Sequence, residues 1–153
     1  MMEIFIAGVM QGERLDKYIN EQDYRLIITQ SLRSNFPEAN ITDPWALNQN
    51  SVHYDEELAR ETFLTMTAKA GEADLLLAYL PTVSMGTAME MWEAYRAGAY
   101  IVAVTPHLHH WAIRFTANEI LPDLDSLLHE IENGHLAEVM HRRSAVDAPF
   151  DAV

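Results

Sequence analysis

No cysteine occurs among the 153 residues, which excludes a disulfide framework and any thiolate metal site. The absence agrees with a reducing, cytoplasmic setting. Positive charge is scarce as well, with 10 Lys and Arg against 23 Asp and Glu and a net charge of −13. That balance argues against binding long nucleic acid or an anionic membrane by bulk electrostatics, though not against a small anion held by local donors. No apolar run approaches the ~18 residues of a membrane span. The apolar start, Met1 to Met10, has an acid at Glu3 and no basic n-region, so it reads as a buried strand and not as a signal peptide. Glycine is sparse too: the loop from Gly8 to Gly12 lacks the third glycine of a dinucleotide fingerprint and does not match a P-loop.

What remains is ordinary globular composition, 49% hydrophobic and 22% charged, in a length that suits one domain. Short apolar runs alternate with helix-period segments, the α/β signature. Strands are expected at residues 3–9, 40–43, 75–80, 100–105 and 119–121. Helices are expected at 20–35, 55–70, 86–97 and from Asp123 to Glu132, with Gly71, Gly98 and Gly134 as stops. The continuous run Leu75 to Leu80 suits a central parallel strand covered on both faces. The order predicts a Rossmann-like or flavodoxin-like α/β fold: an open, mostly parallel sheet of about five strands with helices on both faces. Residues 1–133 form the domain in this reading, and residues 134–153, which lack a clean period, form a docked or partly disordered tail.

In such sheets ligands bind beyond the carboxyl ends of the strands. Three loops meet there: Gly8 to Gly12, Asp43 to Trp45, and Pro81 to Thr87. The third opens a helix carrying one carboxylate, Glu90, between Ala88-Met89 and Met91-Trp92. A charge set in apolar sequence is rarely buried without a reason. With Ser84 as N-cap, Gly86, Thr87 and Glu90 share a helical face. The free N–H groups at the helix start then offer an anion or hydroxyl site, and Glu90 leans back toward it. Burial there raises its pKa, whereas the helix dipole and nearby hydroxyls lower it. A carboxylate so placed suits attack on an anomeric carbon. The plainer alternative is a surface residue on an amphipathic helix.

Asp43-Pro44-Trp45 is a second candidate element, an aromatic ring to stack on a base beside an acid to bind hydroxyls or base N–H groups. Its plainer alternative is a turn with Trp45 covering the core edge. Asp74 sits at the wrong end of its strand for chemistry. His107, His109 and His110 follow a strand end, but no His-Glu-x-x-His pattern accompanies them and no metal is expected. A role for His110-Trp111 in lining the pocket or in a subunit contact fits better. Ser84 fails the Gly-x-Ser-x-Gly pattern of a hydrolase nucleophile. Met85, Met89 and Trp92, at helical spacing, read as core.

Four features together resemble the nucleoside 2-deoxyribosyltransferase superfamily, which includes nucleotide N-glycosidases. They are the first strand Ile4-Phe5-Ile6-Ala7-Gly8, the pair Ala73-Asp74 opening a strand, the glycine turn, and Met89-Glu90-Met91-Trp92 in place of the family's Met/Tyr-Glu-Leu-Gly. The resemblance runs from residue 3 to about residue 132, with the helix motif as its specific part. It places the family's nucleophile on Glu90. It also implies an oligomer, because members often complete their sites across a subunit interface. Four positions depart from the pattern. Met66 falls where the sugar-binding Asp is expected, Val9 and Gln11 replace a phosphate-holding Ser and Arg, and Trp92 replaces a Gly.

The expected function is therefore an N-glycosidic-bond enzyme acting on nucleosides or 2-deoxynucleosides by base exchange or hydrolysis, through a covalent glycosyl-enzyme on Glu90. Ser84, Gly86 and Thr87 would line the sugar or leaving-group side, Gly8 and Gln11 the opposite wall, and Asp43 and Trp45 the base pocket. No metal or organic cofactor is required. The partners expected are a small nucleoside or nucleotide and further copies of the chain. The alternatives are a non-catalytic nucleotide-binding module on the same fold and an NAD-type glycohydrolase.

Overall fold

Strand 1 carries its side chains alternately to two different cores, and the rest of the architecture follows from that division. In the computed structural model, which describes residues 1–146, the strands are β1 (Glu3–Gly8), β2 (Asn40–Thr42), β3 (Leu75–Tyr79), β4 (Tyr100–Val104) and β5 (Glu119–Leu121). The helices are α1 (Asp23–Asn35), α2 (Pro44–Leu47), α3 (Glu56–Ala70), α4 (Met85–Ala97), α5 (Trp111–Arg114), α6 (Leu124–Glu132) and α7 (His135–Val146). The five strands are all parallel, in the order β2-β1-β3-β4-β5. That is the flavodoxin-like doubly wound arrangement, whose switch point lies between β1 and β3.

One face buries Ile4, Ile6, Leu75, Leu77, Val102 and Val104 against Ile28 and Leu32 of α1, Leu127 and Ile131 of α6, and Leu136 and Met140 of α7. The other face buries Phe5, Leu76 and Ile101 in one row and Ala7, Ala78 and Ala103 in the next, under Ala70, Met91, Ala94 and Ile113. Because alternate residues of a strand point to opposite sides, each strand is apolar throughout, as the continuous run at 75–80 anticipates.

Helix boundaries follow their caps. Asp55, Ser84 and Asp123 accept hydrogen bonds from the backbone N–H of Leu58, Thr87 and Ser126, so α3, α4 and α6 start where expected. Gly98, at φ +85°, closes α4 in the left-handed conformation that glycine adopts without strain. Helix α1 begins three residues later than predicted, because Asn20 and Gln22 are engaged with the preceding loop. Their side-chain amides donate to Met10 O at 2.9 Å and Val9 O at 3.1 Å.

The segment read as a tail contains α7, whose Leu136 and Met140 complete the first core. Its final residues, 147–153, lie outside the described residues. No helix among the described residues is long and apolar enough to cross a membrane.

The outward residues of α4 correct one expectation. Met85, Met89 and Trp92 are not core: Met85 is 88% exposed and Trp92 51%. Helical geometry puts Thr87, Met91 and Ala94 on one stripe, and that stripe is buried against the sheet. Met85, Met89 and Trp92 occupy the opposite side of the same helix.

Candidate active site

The cleft lies over the carboxyl ends of β1 and β3 and has two lobes. One, of about 240 Å³, is largely apolar, walled by Ile19, Val52, Tyr54, Phe63 and Met66. The other, of about 290 Å³, is lined by Gly8, Gly12, Arg14, Ser84, Gly86 and Thr87. Met10, Gln11, Phe63 and Glu90 border both lobes. Glu90 therefore stands at the waist of the cleft.

Local structure explains each wall. The start of α4 supplies the polar lobe: the Ser84 Oγ accepts from Thr87 N at 3.3 Å and from the Thr87 hydroxyl at 3.0 Å. The N–H groups of Met85 and Gly86, lying before the first intrahelical bonds, remain directed outward at the helix start. Gly8 is required by close approach, since a Cβ there would overlap the hydroxyl of Tyr24. The loop after β1 is fastened across the lobe by the Thr82 hydroxyl, which donates to Glu13 at 3.1 Å. The first half of α3 overhangs the sheet, so Ala59, Phe63 and Met66 face the apolar lobe instead of the core.

Glu90 is enclosed by protein except where it meets the cleft, and no group among the described residues hydrogen-bonds its carboxylate. Burial pushes its pKa from the ordinary 4.5 up to about 8, and the Arg25 charge pulls in the opposite direction. Glu90 is therefore held protonated more readily than an ordinary carboxylate. Ligand hydroxyls that donate to the carboxylate would favour its ionised form.

Of the residues singled out in the sequence, the cleft brings together Gly8, Gln11, Ser84, Gly86, Thr87 and Glu90. It does not bring in Asp43 or Trp45; Pro44 between them lines the apolar lobe instead. Asp43 is buried, and its Oδ1 accepts from Arg25 Nη1 and from Trp45 N, both at 3.0 Å. Its side chain is thus committed to an ion pair and to capping α2. His110 and Trp111 border neither lobe, and Trp111 is 75% exposed. Asp74 accepts from Glu3 N at the opposite edge of the sheet, as expected.

Arg14, Lys17, Tyr54 and Asn48 are lining residues the sequence reading did not reach. They sit on aperiodic loops and carry no spacing signal. Phe63 and Met66 stand three residues apart on α3, a helical spacing, but periodicity alone does not tell a core face from a cleft face. Among the described residues, the side chains close enough to share a cation are Glu119, Glu130 and His135. They gather at the start of β5, away from the cleft.

The fold is similar to those of several solved structures. A 2-deoxyribosyltransferase from Bacillus psychrosaccharolyticus superposes with a TM-score of 0.61 over 82% of this chain and 90% of its own, at 16% identity. The chain has the fold of a 2-deoxyribosyltransferase. A conserved protein from Enterococcus faecalis superposes at TM-score 0.59 and 20% identity, over 87% of this chain and 98% of its own. A CMP N-glycosidase from Clostridium botulinum aligns at TM-score 0.48 and 15% identity, over 85% of this chain and 97% of its own. No protein-family model and no curated protein matches the sequence.

Proposed function

We propose that the protein is an N-glycosidic-bond enzyme that acts on a nucleoside or 2-deoxynucleoside with Glu90 as nucleophile. The supporting observation is a single carboxylate at the waist of a two-lobed cleft. Among the described residues, Glu90 is the one carboxylate bordering either lobe. Cleavage of a sugar–oxygen bond ordinarily needs two carboxyl groups, because an alkoxide must be protonated as it leaves. A heterocyclic base leaves more readily, with its charge spread over the ring, so one carboxylate suffices.

In the first step a Glu90 oxygen bonds to the anomeric carbon, the carbon–nitrogen bond breaks, and its electron pair departs on the base, which takes a proton from solvent. In the second step water or a second base attacks the same carbon, the ester bond breaks, and Glu90 is released as carboxylate. The proton of the attacking water or base passes to solvent. The apolar lobe, with Tyr54 and Phe63, accommodates a planar base. The polar lobe, with Ser84, Thr87 and the helix start, accommodates hydroxyl groups. The fold shared with a 2-deoxyribosyltransferase is consistent with this chemistry.

The test is chromatographic detection of free base from a panel of ribo- and deoxynucleosides, with and without a second base, using wild type and Glu90→Ala. Release by wild type and at least a ~10³-fold loss in the variant is the expected result. Near-normal release by the variant would sink the assignment. The second reading, a module that binds without turnover, is favoured by Met66 in the apolar lobe and by the commitment of Asp43 to Arg25, which leave sugar hydroxyls without a second acidic partner. Ligand-induced thermal stabilisation with no base release across the panel would establish it.

We further propose that the protein associates with a second copy through the α3–α4 side, where Met85, Met89 and Trp92 lie outward and Phe63 reaches the cleft rim. Sedimentation at micromolar concentration tests this, with a single monomeric species as the contrary result.

A further inference from the structure

A set of donor side chains at the start of β5 plays no part in the cleft. Glu119 opens β5, Glu130 stands in the last turn of α6, and His135 opens α7. One donor atom from each lies within 4.8 Å of the other two. His135 Nε2 is 3.7 Å from Glu130 Oε2 and 3.8 Å from Glu119 Oε2. Those separations are too long for hydrogen bonds. They lie close to the ~3.4 Å between two ligands that share a tetrahedral ion at bond lengths of about 2.0–2.2 Å.

The neighbouring structure holds all three in place. Gly134, at φ +82°, turns the chain sharply between α6 and α7, and Asn133 Oδ1 accepts from His135 N at 2.9 Å. The Tyr100 hydroxyl, from β4, donates to Glu119 Oε2 at 3.3 Å. Metal-binding carboxylates are commonly restrained by such an outer hydrogen bond. Charge points the same way. The side chains of Glu119 and Glu130 are only 21% and 26% exposed, and Glu130 stands where the α6 dipole adds negative potential. Among the described residues, no lysine or arginine forms an ion pair with either carboxylate. Arg143, which stacks over Tyr100, is committed to Gly98 O at 2.7 Å.

We propose that Glu119, Glu130 and His135 bind a zinc-class divalent cation that ties α7 to α6 and to the edge strand β5. The donor set selects the ion. One imidazole nitrogen with two carboxylate oxygens suits zinc, whereas magnesium and calcium favour oxygen donors alone. Three protein ligands leave the fourth tetrahedral position to water. Leu136 and Met140 of α7 complete the first core, so the bound ion stabilises the packing of that face.

The test uses the full chain, stripped of metal with a chelator and dialysed. It is titrated with Zn²⁺ by calorimetry, and melted with Zn²⁺, with Mg²⁺ and with neither. Wild type should bind one equivalent of Zn²⁺ and melt several degrees higher in its presence, with no response to Mg²⁺. Glu130→Gln and His135→Ala should each weaken Zn²⁺ binding at least tenfold and abolish the rise. Histidines after β4 are the control for imidazole elsewhere: the triple variant His107→Ala, His109→Ala, His110→Ala should bind as wild type does. Unchanged Zn²⁺ affinity in Glu130→Gln or in His135→Ala overturns the proposal. So does loss of binding in the triple variant, an equal rise with Mg²⁺, or no binding by wild type. If His135→Ala does not fold, Glu130→Gln decides.

Discussion

The two faces of the sheet are built from the same strands and do opposite things. On the side of α1, α6 and α7, cross-strand rows such as Ile6–Leu77–Val102 are large, and the helices bury Ile28, Leu32, Leu127, Ile131 and Leu136 completely or nearly so. On the side of α3 and α4, the row nearest the cleft is Ala7–Ala78–Ala103, with Ala94 of α4 packed over this face. Small residues let helix and sheet approach closely, and their bulky neighbours on α4 are turned outward. The first face is a core. The second gives up apolar burial to bring the start of α4, with Thr87 and Glu90, to the sheet edge at the switch point.

The sharpest way to break this comparison is to remove the chemistry from the second face without disturbing its packing. Glu90→Gln should lower base release by ~10³-fold or more. It should also change the pH dependence of stability. Folded Glu90 titrates near 8 rather than 4.5, so the folded protein binds more protons than the unfolded chain between those values. Wild-type stability therefore falls as pH rises from 4.5 through 8. Glu90→Gln should lack that fall, so thermal melts should coincide at pH 4 and separate at pH 9, with the wild type melting lower.

Leu77→Ala, in the large-residue row, should cost about 2–5 kcal/mol in urea unfolding while leaving kcat of the folded fraction unchanged. Its neighbour in sequence points the other way. Ala78→Leu should cost about 1–3 kcal/mol by overpacking but also lower kcat, because α4 must move away from the sheet and carry Glu90 with it. Equal kcat for these two variants would erase the distinction between the faces. Ser84→Ala, which removes the α4 cap, should cost about 1 kcal/mol. Trp92→Glu should change monomer stability by less than about 0.5 kcal/mol and show its effect in sedimentation, as loss of self-association.

Particular residues show where sequence reading succeeds. The caps Ser84 and Asp123 are local hydrogen bonds, written within three residues of chain, and the helices they open lie where the sequence puts them. The oddity of Glu90 was equally local, a charge among Met, Ala and Trp with a glycine turn before it. Its neighbours in the polar lobe came with it for the same reason. Asp43 misled because its side chain could serve a ligand or an internal cation, and the cation, Arg25, is eighteen residues away on another element. Met85, Met89 and Trp92 misled because a helix with two apolar sides has no unique inward face until it is docked.

The sequence by itself determined the order of strands and helices, their caps and stops, and the one carboxylate that stands out, because each depends on neighbours along the chain. The tertiary structure alone decided the two-lobed shape of the cleft, the commitment of Asp43 to Arg25, and which side of α4 faces water. Those depend on residues that meet only when β1, α1, the turn after β2, α3 and α4 converge at one edge of the sheet. Side-chain type does not specify its partner; packing does.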